Sequence, residues 1–263
     1  MTALTIALLT MTGCKKVEPA PEDLDSLMQW FWENYEADDP AVLVEAVDNL
    51  HLEIGGDTFE DLEDGSLTSL SAEAADGLPI SPAPDVAEAR GFYLLNTFPC
   101  TLKTLESILY DLDQGSMYDD AYVTYRRSYL TDLDAYLDRQ EDSLGWEVEL
   151  TGDLLGADFT EWLQGGLRYL PDTGQGPALM ARTFMTKPSA FEEGSNKVFD
   201  QDYQIEVFYE RSPGEIMHAY GLWRTMDMGG GITMEDDAAV RIILNNLADW
   251  DDRTAELCEA GAP

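Results

Sequence analysis

The fold of this chain is decided by its last apolar stretch, residues 233–258, which read TMEDDAAVRIILNNLADWDDRTAELC. Apolar side chains recur there at spacings of three and four residues, the period of one helix face, and acidic side chains occupy the other side. Thr233, followed three residues later by Asp236, predicts a capping box at the start of the helix. The apolar stripe consists of Ala239, Val240, Ile243, Leu247, Trp250 and Leu257. The pattern predicts one long C-terminal helix with a single buried face.

Strand-like runs dominate the chain before this helix. Trp146, Val148 and Leu150 alternate with Glu147 and Glu149, as in an antiparallel strand that has one solvated face. The other predicted strands are residues 91–98, 122–130, 159–170, 179–185, 203–209 and 216–228, with a helix capped by Thr101 after the first of them. The predicted class is α+β, an antiparallel sheet with a long C-terminal helix.

Two amphipathic helices are predicted ahead of the sheet. Pro21 opens the first helix, and the second begins at Asp39-Pro40. The buried face of the first helix carries Leu24, Leu27, Met28, Phe31 and Tyr35. Residues 55–77, rich in acidic, Gly and Ser residues, predict loops, and residues 78–85 (LPISPAPD) predict a linker. The expected organisation is a small helical acidic N-terminal region (22–77), a Pro-rich linker (78–85) and an α+β domain (86–263).

The first residues resemble a bacterial lipoprotein signal. An uncharged apolar run, ALTIALLTM at residues 3–11, is followed by Thr12, Gly13 and Cys14. The resemblance implies a signal peptide over 1–13, cut before a lipidated Cys14, and a polar Pro-rich tether over 14–21. Met11 stands where the family usually has Leu, and no basic residue precedes the run. An apolar N-terminus on a cytosolic protein is the alternative.

If the resemblance holds, the protein is an outer-membrane lipoprotein of the cell envelope, attached to the membrane through N-terminal acyl chains. Lys15 directly after Cys14 favours the outer membrane, because Asp at that position is the family's signal for inner-membrane retention. Lipidation of Cys14 leaves two cysteines, Cys100 and Cys258, and an even number in an exported protein suggests a disulfide. Two independent buried thiols remain the alternative.

Composition and motifs exclude several functions. The 263 residues include 52 Asp and Glu against 15 Lys and Arg, a formal net charge of −37 that repels nucleic acid and other polyanions. The sequence contains no His-Glu-x-x-His, Cys-x-x-Cys or Gly-x-Ser-x-Gly motif. Asp111, Asp113 and Gly115 do not have the spacing of a calcium loop. We therefore expect no catalysis, no cofactor and no metal site.

The order of elements over residues 91–258 resembles the START-like helix-grip superfamily, in which a curved antiparallel sheet wraps a long terminal helix. Members of that superfamily mostly bind lipids, sterols or other apolar ligands, and a few catalyse reactions in the same cavity. The resemblance implies an apolar small molecule or lipid as ligand. The residues expected to contact it are Trp146, Trp162, His218, Tyr220, Trp223, Ile243 and Leu247.

The same periodicities also fit a solid core, so two functions stay open. The first is a lipid-anchored binding module with an apolar ligand inside the α+β domain. The second is an envelope surface protein whose N-terminal helices contact a partner protein through Trp30 and Trp32, which lie off the apolar stripe. His218 also has two interpretations, because a lone inward histidine is more often a hydrogen-bonded core residue than a functional one.

Overall fold

The computed structural model of the protein describes residues 18–59, 62–119 and 121–261, so the predicted signal peptide and Cys14 lie outside the described residues. The helices are α1 (Leu24–Asn34), α2 (Ala41–Glu53), α3 (Leu102–Tyr110), α4 (Gln114–Met117), α5 (Leu133–Leu137) and α6 (Asp237–Ala260). The strands are β1 (Glu63–Leu67), β2 (Arg90–Pro99), β3 (Thr124–Tyr129), β4 (Ser143–Leu154), β5 (Ala157–Thr173), β6 (Gly176–Phe191), β7 (Val198–Ser212) and β8 (Glu215–Asp227).

The eight strands form one sheet in the order β1-β2-β8-β7-β6-β5-β4-β3, and every neighbouring pair is antiparallel. The chain from β3 to β8 is a meander of hairpins, because each of these strands pairs with the next in sequence. The predicted α+β class, with an antiparallel sheet, a long C-terminal helix and a helical N-terminal region, is confirmed.

Strand β8 is buried on both faces. Its side chains alternate, and each set joins a different core cluster. Ile216, Tyr220 and Leu222 pack with residues of α3 and α6, on what we name the α6 face of the sheet. Met217, Ala219 and Trp223 pack with residues of α1 and α2, on what we name the α1–α2 face. The sheet is therefore the middle layer of three.

Helix α6 confirms the predicted terminal helix and corrects two of its details. Asp236 is the N-cap, and Thr233 lies before the helix, where its N–H donates to the Asp236 carboxylate at 2.8 Å. The expected capping box is therefore incomplete. The acids were also expected on the exposed side, but Asp251 is completely buried. Asp251 pairs with His218 of β8.

The N-terminal region shares a core with the sheet. Leu27 of α1 and Leu43 of α2 belong to the same buried cluster as Ile205 and Trp223 of the sheet. Residues 63–67, expected to be loop, form edge strand β1 on β2. Their sequence, EDGSL, has no apolar alternation because an edge strand is held mainly by main-chain hydrogen bonds. Leu78 and Ile80 of the predicted linker pack against this shared core.

A disulfide joins Cys100, at the end of β2, to Cys258, near the end of α6, and confirms the predicted pairing. The two cysteines are 158 residues apart in the sequence, so the bond closes a very long loop. It ties the terminal helix to the sheet next to α3. No helix in the described ranges has both the length and the apolar character needed to cross a bilayer.

Replacing both cysteines (Cys100→Ser with Cys258→Ser) is expected to lower the free energy of unfolding by about 2–5 kcal/mol, because the unfolded chain regains the entropy of a very long loop. Urea denaturation of the oxidised protein measures the change, and Cys14→Ser is the control that leaves the bond intact. Equal stability of the native and double-variant proteins would contradict the pairing.

Candidate functional site

Five of the seven residues predicted to contact a ligand lie on the α6 face of the sheet or on α6 itself. These are Trp146, His218, Tyr220, Ile243 and Leu247. The other two lie on the opposite face. The Trp223 indole donates to the carbonyl of Thr68 at 2.8 Å, and the Trp162 indole donates to Glu149 at 3.1 Å. The sequence prediction thus grouped side chains that the sheet separates.

His218 is a buried anchor for α6. Its side chain is 1% exposed, and its Nδ1 lies 2.8 Å from Oδ1 of Asp251. The second oxygen of Asp251 accepts a hydrogen bond from the Asn96 amide at 2.8 Å. Nε2 of His218 lies 3.3 Å from Glu206 without the alignment of a hydrogen bond. These contacts join β8, β7 and β2 to the middle of α6.

The surroundings of His218 favour its charged form. Burial lowers the pKa of the imidazole, but the charge and hydrogen bond of Asp251, followed by the nearby carboxylate of Glu206, outweigh burial and raise the pKa to about 9. At neutral pH the histidine is therefore an imidazolium between two carboxylates. This is the role of a core ion pair and not that of a ligand contact.

A second group of charges lies further along the α6 face. Arg224 donates to Asp202 at 2.9 Å, and Asp202 is 1% exposed. Burial raises the pKa of nearby Glu161 to about 8, with a further increase from Asp202 and an opposing effect of Arg224. One oxygen of Glu161 has no hydrogen-bond partner among the described residues. Because buried charges must stay paired, this part of the face is poorly suited to an apolar ligand.

A groove of about 810 Å³ opens on the α1–α2 face of the sheet. We name it the α1 groove. It lies between the C-terminal end of α1, the loop at 71–79 and strands β4, β5 and β6. None of the seven predicted residues lines it. Its floor includes Trp32, Tyr35 and Phe184, and an Arg182 guanidinium lies 4.4 Å from the centroid of the Tyr35 ring.

The end of α1 is fixed by an arginine of the sheet. Arg168 of β5 donates to the carbonyls of Tyr35 and Ala37 and to the carboxylate of Asp142. These bonds satisfy carbonyls that a helix leaves free at its C-terminal end, and they place a cation at the negative end of the helix dipole. Tyr35 is thereby held against the sheet.

Gly166 of β5 makes room for the Tyr35 ring. A Cβ at this position would lie 2.8 Å from the carbonyl oxygen of Leu144 and 2.9 Å from the Tyr35 hydroxyl oxygen. The hydroxyl is buried and has no hydrogen-bond partner among the described residues. Burial raises the pKa of Tyr35 far above its usual value, so the group stays a neutral hydroxyl. It is an unused donor and acceptor at the floor of the groove.

Arg182 holds the other polar position of the groove. Its side chain is 10% exposed and pairs with Glu36, whose side chain is 70% exposed. The guanidinium also lies 5.6 Å from the Trp32 ring and 5.9 Å from the Phe184 ring. Leu78, Pro79 and Leu130 add accessible apolar surface to these hydrogen-bonding groups, a combination that is typical of small-molecule sites. Within the described residues no group of His, Cys, Asp or Glu is arranged to hold a metal ion.

The sequence did not reveal the groove. Trp32 was expected to be exposed for a partner, yet it is 1% exposed and donates to the Ala74 carbonyl at 2.8 Å. Tyr35 was predicted as a core residue of α1, which is correct, but its unpaired hydroxyl depends on the distant strand β5. A Gly-Gly pair in the middle of a strand, at 165–166, was the one sequence signal of close packing.

Comparisons with known proteins show similarity at the level of the fold. The chain matches no protein-family model and no curated protein. A START superfamily protein from Mycobacterium smegmatis aligns with 65% of this chain and 97% of its own, at 10% identity and a TM-score of 0.43. Human STARD10 aligns with 76% of this chain and 69% of its own, at 9% identity and a TM-score of 0.44.

The solved structures also include an enzyme. Dicamba monooxygenase bound to dicamba aligns with 68% of this chain and 52% of its own, at 13% identity and a TM-score of 0.44. The aligned structures thus include a START superfamily protein and an enzyme. The TM-scores of all three structures are below 0.5, so the function must be argued from the residues of this chain.

Stability should depend on the charge of His218. Its pKa is about 9 in the folded protein and about 6.5 in the unfolded chain. The contribution of the charged imidazole to the free energy of unfolding is therefore complete below pH 6.5 and is lost as the pH rises through 9. Relative to His218→Asn, the native protein should lose about 3 kcal/mol of unfolding free energy between these pH values. Urea denaturation across this range measures the difference, and parallel pH profiles would contradict the ion pair.

Removing the Tyr35 hydroxyl should not destabilise the protein. Tyr35→Phe is expected to raise the free energy of unfolding by about 1 kcal/mol, because the hydroxyl is buried without a partner. The matched control is Tyr136→Phe, which removes a buried hydroxyl that donates to Glu106 at 2.7 Å and should cost about 1–3 kcal/mol. A loss at Tyr35 as large as that at Tyr136 would show that its hydroxyl is paired.

Proposed function

We propose that this protein is a non-catalytic binding protein of the cell envelope, anchored to the membrane by acyl chains on Cys14, and that it holds an amphipathic small molecule in the α1 groove. The observation that carries the proposal is the unpaired Tyr35 hydroxyl at the floor of an aromatic groove of about 810 Å³. A groove of this size is within the range of small-molecule sites.

The groove fits an amphipathic ligand better than a purely apolar one. Leu78, Pro79 and Leu130 supply accessible apolar surface, above the buried rings of Trp32 and Phe184. Gln164 and the Tyr35 hydroxyl supply hydrogen-bonding groups beside it. A wholly apolar molecule would bury the half-exposed Gln164 amide without a partner, at a cost that an amphipathic ligand avoids.

The α6 face supports ligand binding less well. The apolar side chains of α6, such as Ile243 and Leu244, are buried against β2 and β8. The strands beyond them carry the paired charges of Asp202 and Arg224. Truncating α6 side chains should therefore affect stability and not ligand affinity, whereas changes in the α1 groove should affect affinity.

One observation supports the envelope location. The Cys100–Cys258 disulfide is typical of an oxidising compartment. Asn49 donates to the carbonyls of Ala20 and Pro21, at 3.2 and 2.9 Å, so the predicted tether would end directly on the folded body. We expect full-length protein to sediment with membranes and Cys14→Ser to remain in the soluble fraction. A Cys14→Ser protein that still sediments would contradict the anchor.

Filling the groove tests the binding role. Gln164 lines the groove and is half-buried on a strand, where Trp is well tolerated. Native mass spectrometry of gently purified full-length protein should find a co-purified small molecule, which Gln164→Trp loses. The matched control is Thr124→Trp, an exposed strand position outside the groove.

Retention of the small molecule by Gln164→Trp, or its absence from the native protein, would contradict binding in the α1 groove. In the second case, a protein partner recovered with the native chain and lost with Gln164→Trp would favour the envelope interaction protein.

A further inference from the structure

The charges around the α1 groove define which amphipathic molecule it would accept. Four acidic side chains line it, Glu33 at the end of α1, Glu36 just after that helix, and Glu73 and Asp76 from the facing loop, and none of these residues is buried. Among the described residues that line the groove, Arg182 carries the sole positive charge, and it is paired with Glu36. Three carboxylates therefore remain without a cationic partner in the groove.

We propose that the ligand of the α1 groove is an organic cation, whose ammonium group lies among Glu33, Glu73 and Asp76 and whose apolar body covers Leu78, Pro79 and Leu130. This inference rests on the proposed binding role of the groove and adds the charge of the ligand to it.

The acids stand on two sides of the groove. Glu33 lies at the end of α1, where Ser71 of the facing loop donates to its carboxylate at 3.0 Å. Glu73 and Asp76 belong to that loop. A cation between the two elements is attracted from both sides, and the net charge of −37 adds a long-range attraction. The same carboxylates repel an anionic ligand such as a fatty acid.

The Tyr35 hydroxyl is an independent indication of a bound group. Tyr35 is only 3% exposed, lies at the floor of the groove, and its hydroxyl has no partner among the described residues. The hydroxyl oxygen can accept a hydrogen bond from an ammonium N–H, and its pKa keeps it protonated. Leu78, Pro79 and Leu130 would then contact the apolar part of the same molecule.

The selectivity that follows is moderate, because the carboxylates are accessible to water. Each such pair of opposite charges contributes little by itself, so three of them together should favour a cation over a neutral molecule of the same length by about tenfold. The preference should shrink as salt is added, since solvated charges are screened.

Three probes of equal length test the proposal: octylammonium, octanol and octanoate, each measured by calorimetry against the full-length protein. We expect octylammonium to bind about tenfold more tightly than octanol, and octanoate to bind least. Tyr35→Phe should weaken the binding of octylammonium about fivefold, because one hydrogen bond to the ligand is lost. Equal affinities for the three probes would overturn the charge selectivity.

A charge-matched pair of variants locates the effect. Glu33→Gln with Glu73→Gln and Asp76→Asn should remove the preference for octylammonium over octanol. The control, Glu45→Gln with Asp249→Asn and Asp252→Asn, removes the same charge from exposed positions outside the groove and should keep the preference. Loss of the preference in both triple variants would mean that the net charge, and not the groove, selects the cation.

Gln164→Trp separates failure of this proposal from failure of the binding role. If octanol binds to the native protein and not to Gln164→Trp, the groove holds ligands whatever the charge preference. If no probe binds, or if Gln164→Trp binds all three as the native protein does, both the binding role and the charge selectivity are wrong.

Discussion

The structure depends on one constraint: the central strands of its sheet are apolar on both faces, so both faces must be covered. On β8, Met217 and Trp223 need the α1–α2 layer, while Ile216 and Leu222 need α3 and α6. The N-terminal helices are for this reason part of the core. The α1 groove lies where α1 ends and strands β4 to β6 continue beyond its cover.

The two covering layers are attached in different ways. Helix α6 is held by the disulfide at Cys258, by the pair of Asp251 with His218, and by the hydroxyls of Tyr118 and Thr254, which lie 2.8 Å apart. The α1–α2 layer is held mainly by apolar packing and by Arg168 at the end of α1. The buried charges are thus concentrated under α6, and the open α1 groove is on the other face.

Sequence periodicity predicted much of the fold, because long amphipathic elements repeat their pattern. The stripe of α6 and the alternation in β4 indicated the correct element types. Periodicity could not predict β1, whose pairing uses the main chain, nor the burial of Asp251, which depends on a histidine 33 residues earlier. Periodicity also could not predict the candidate site, because Tyr35, the 71–79 loop and Gly166 meet only in the folded chain.

The central claim is that ligands bind in the α1 groove and not between the sheet and α6. A crystal structure of the full-length protein with octylammonium tests it most directly. We expect density for the alkyl chain against Leu78, Pro79 and Leu130, with the ammonium group near Glu33 and the Tyr35 hydroxyl. Density for the probe between α6 and the sheet, beside Tyr220 and Leu247, would contradict it.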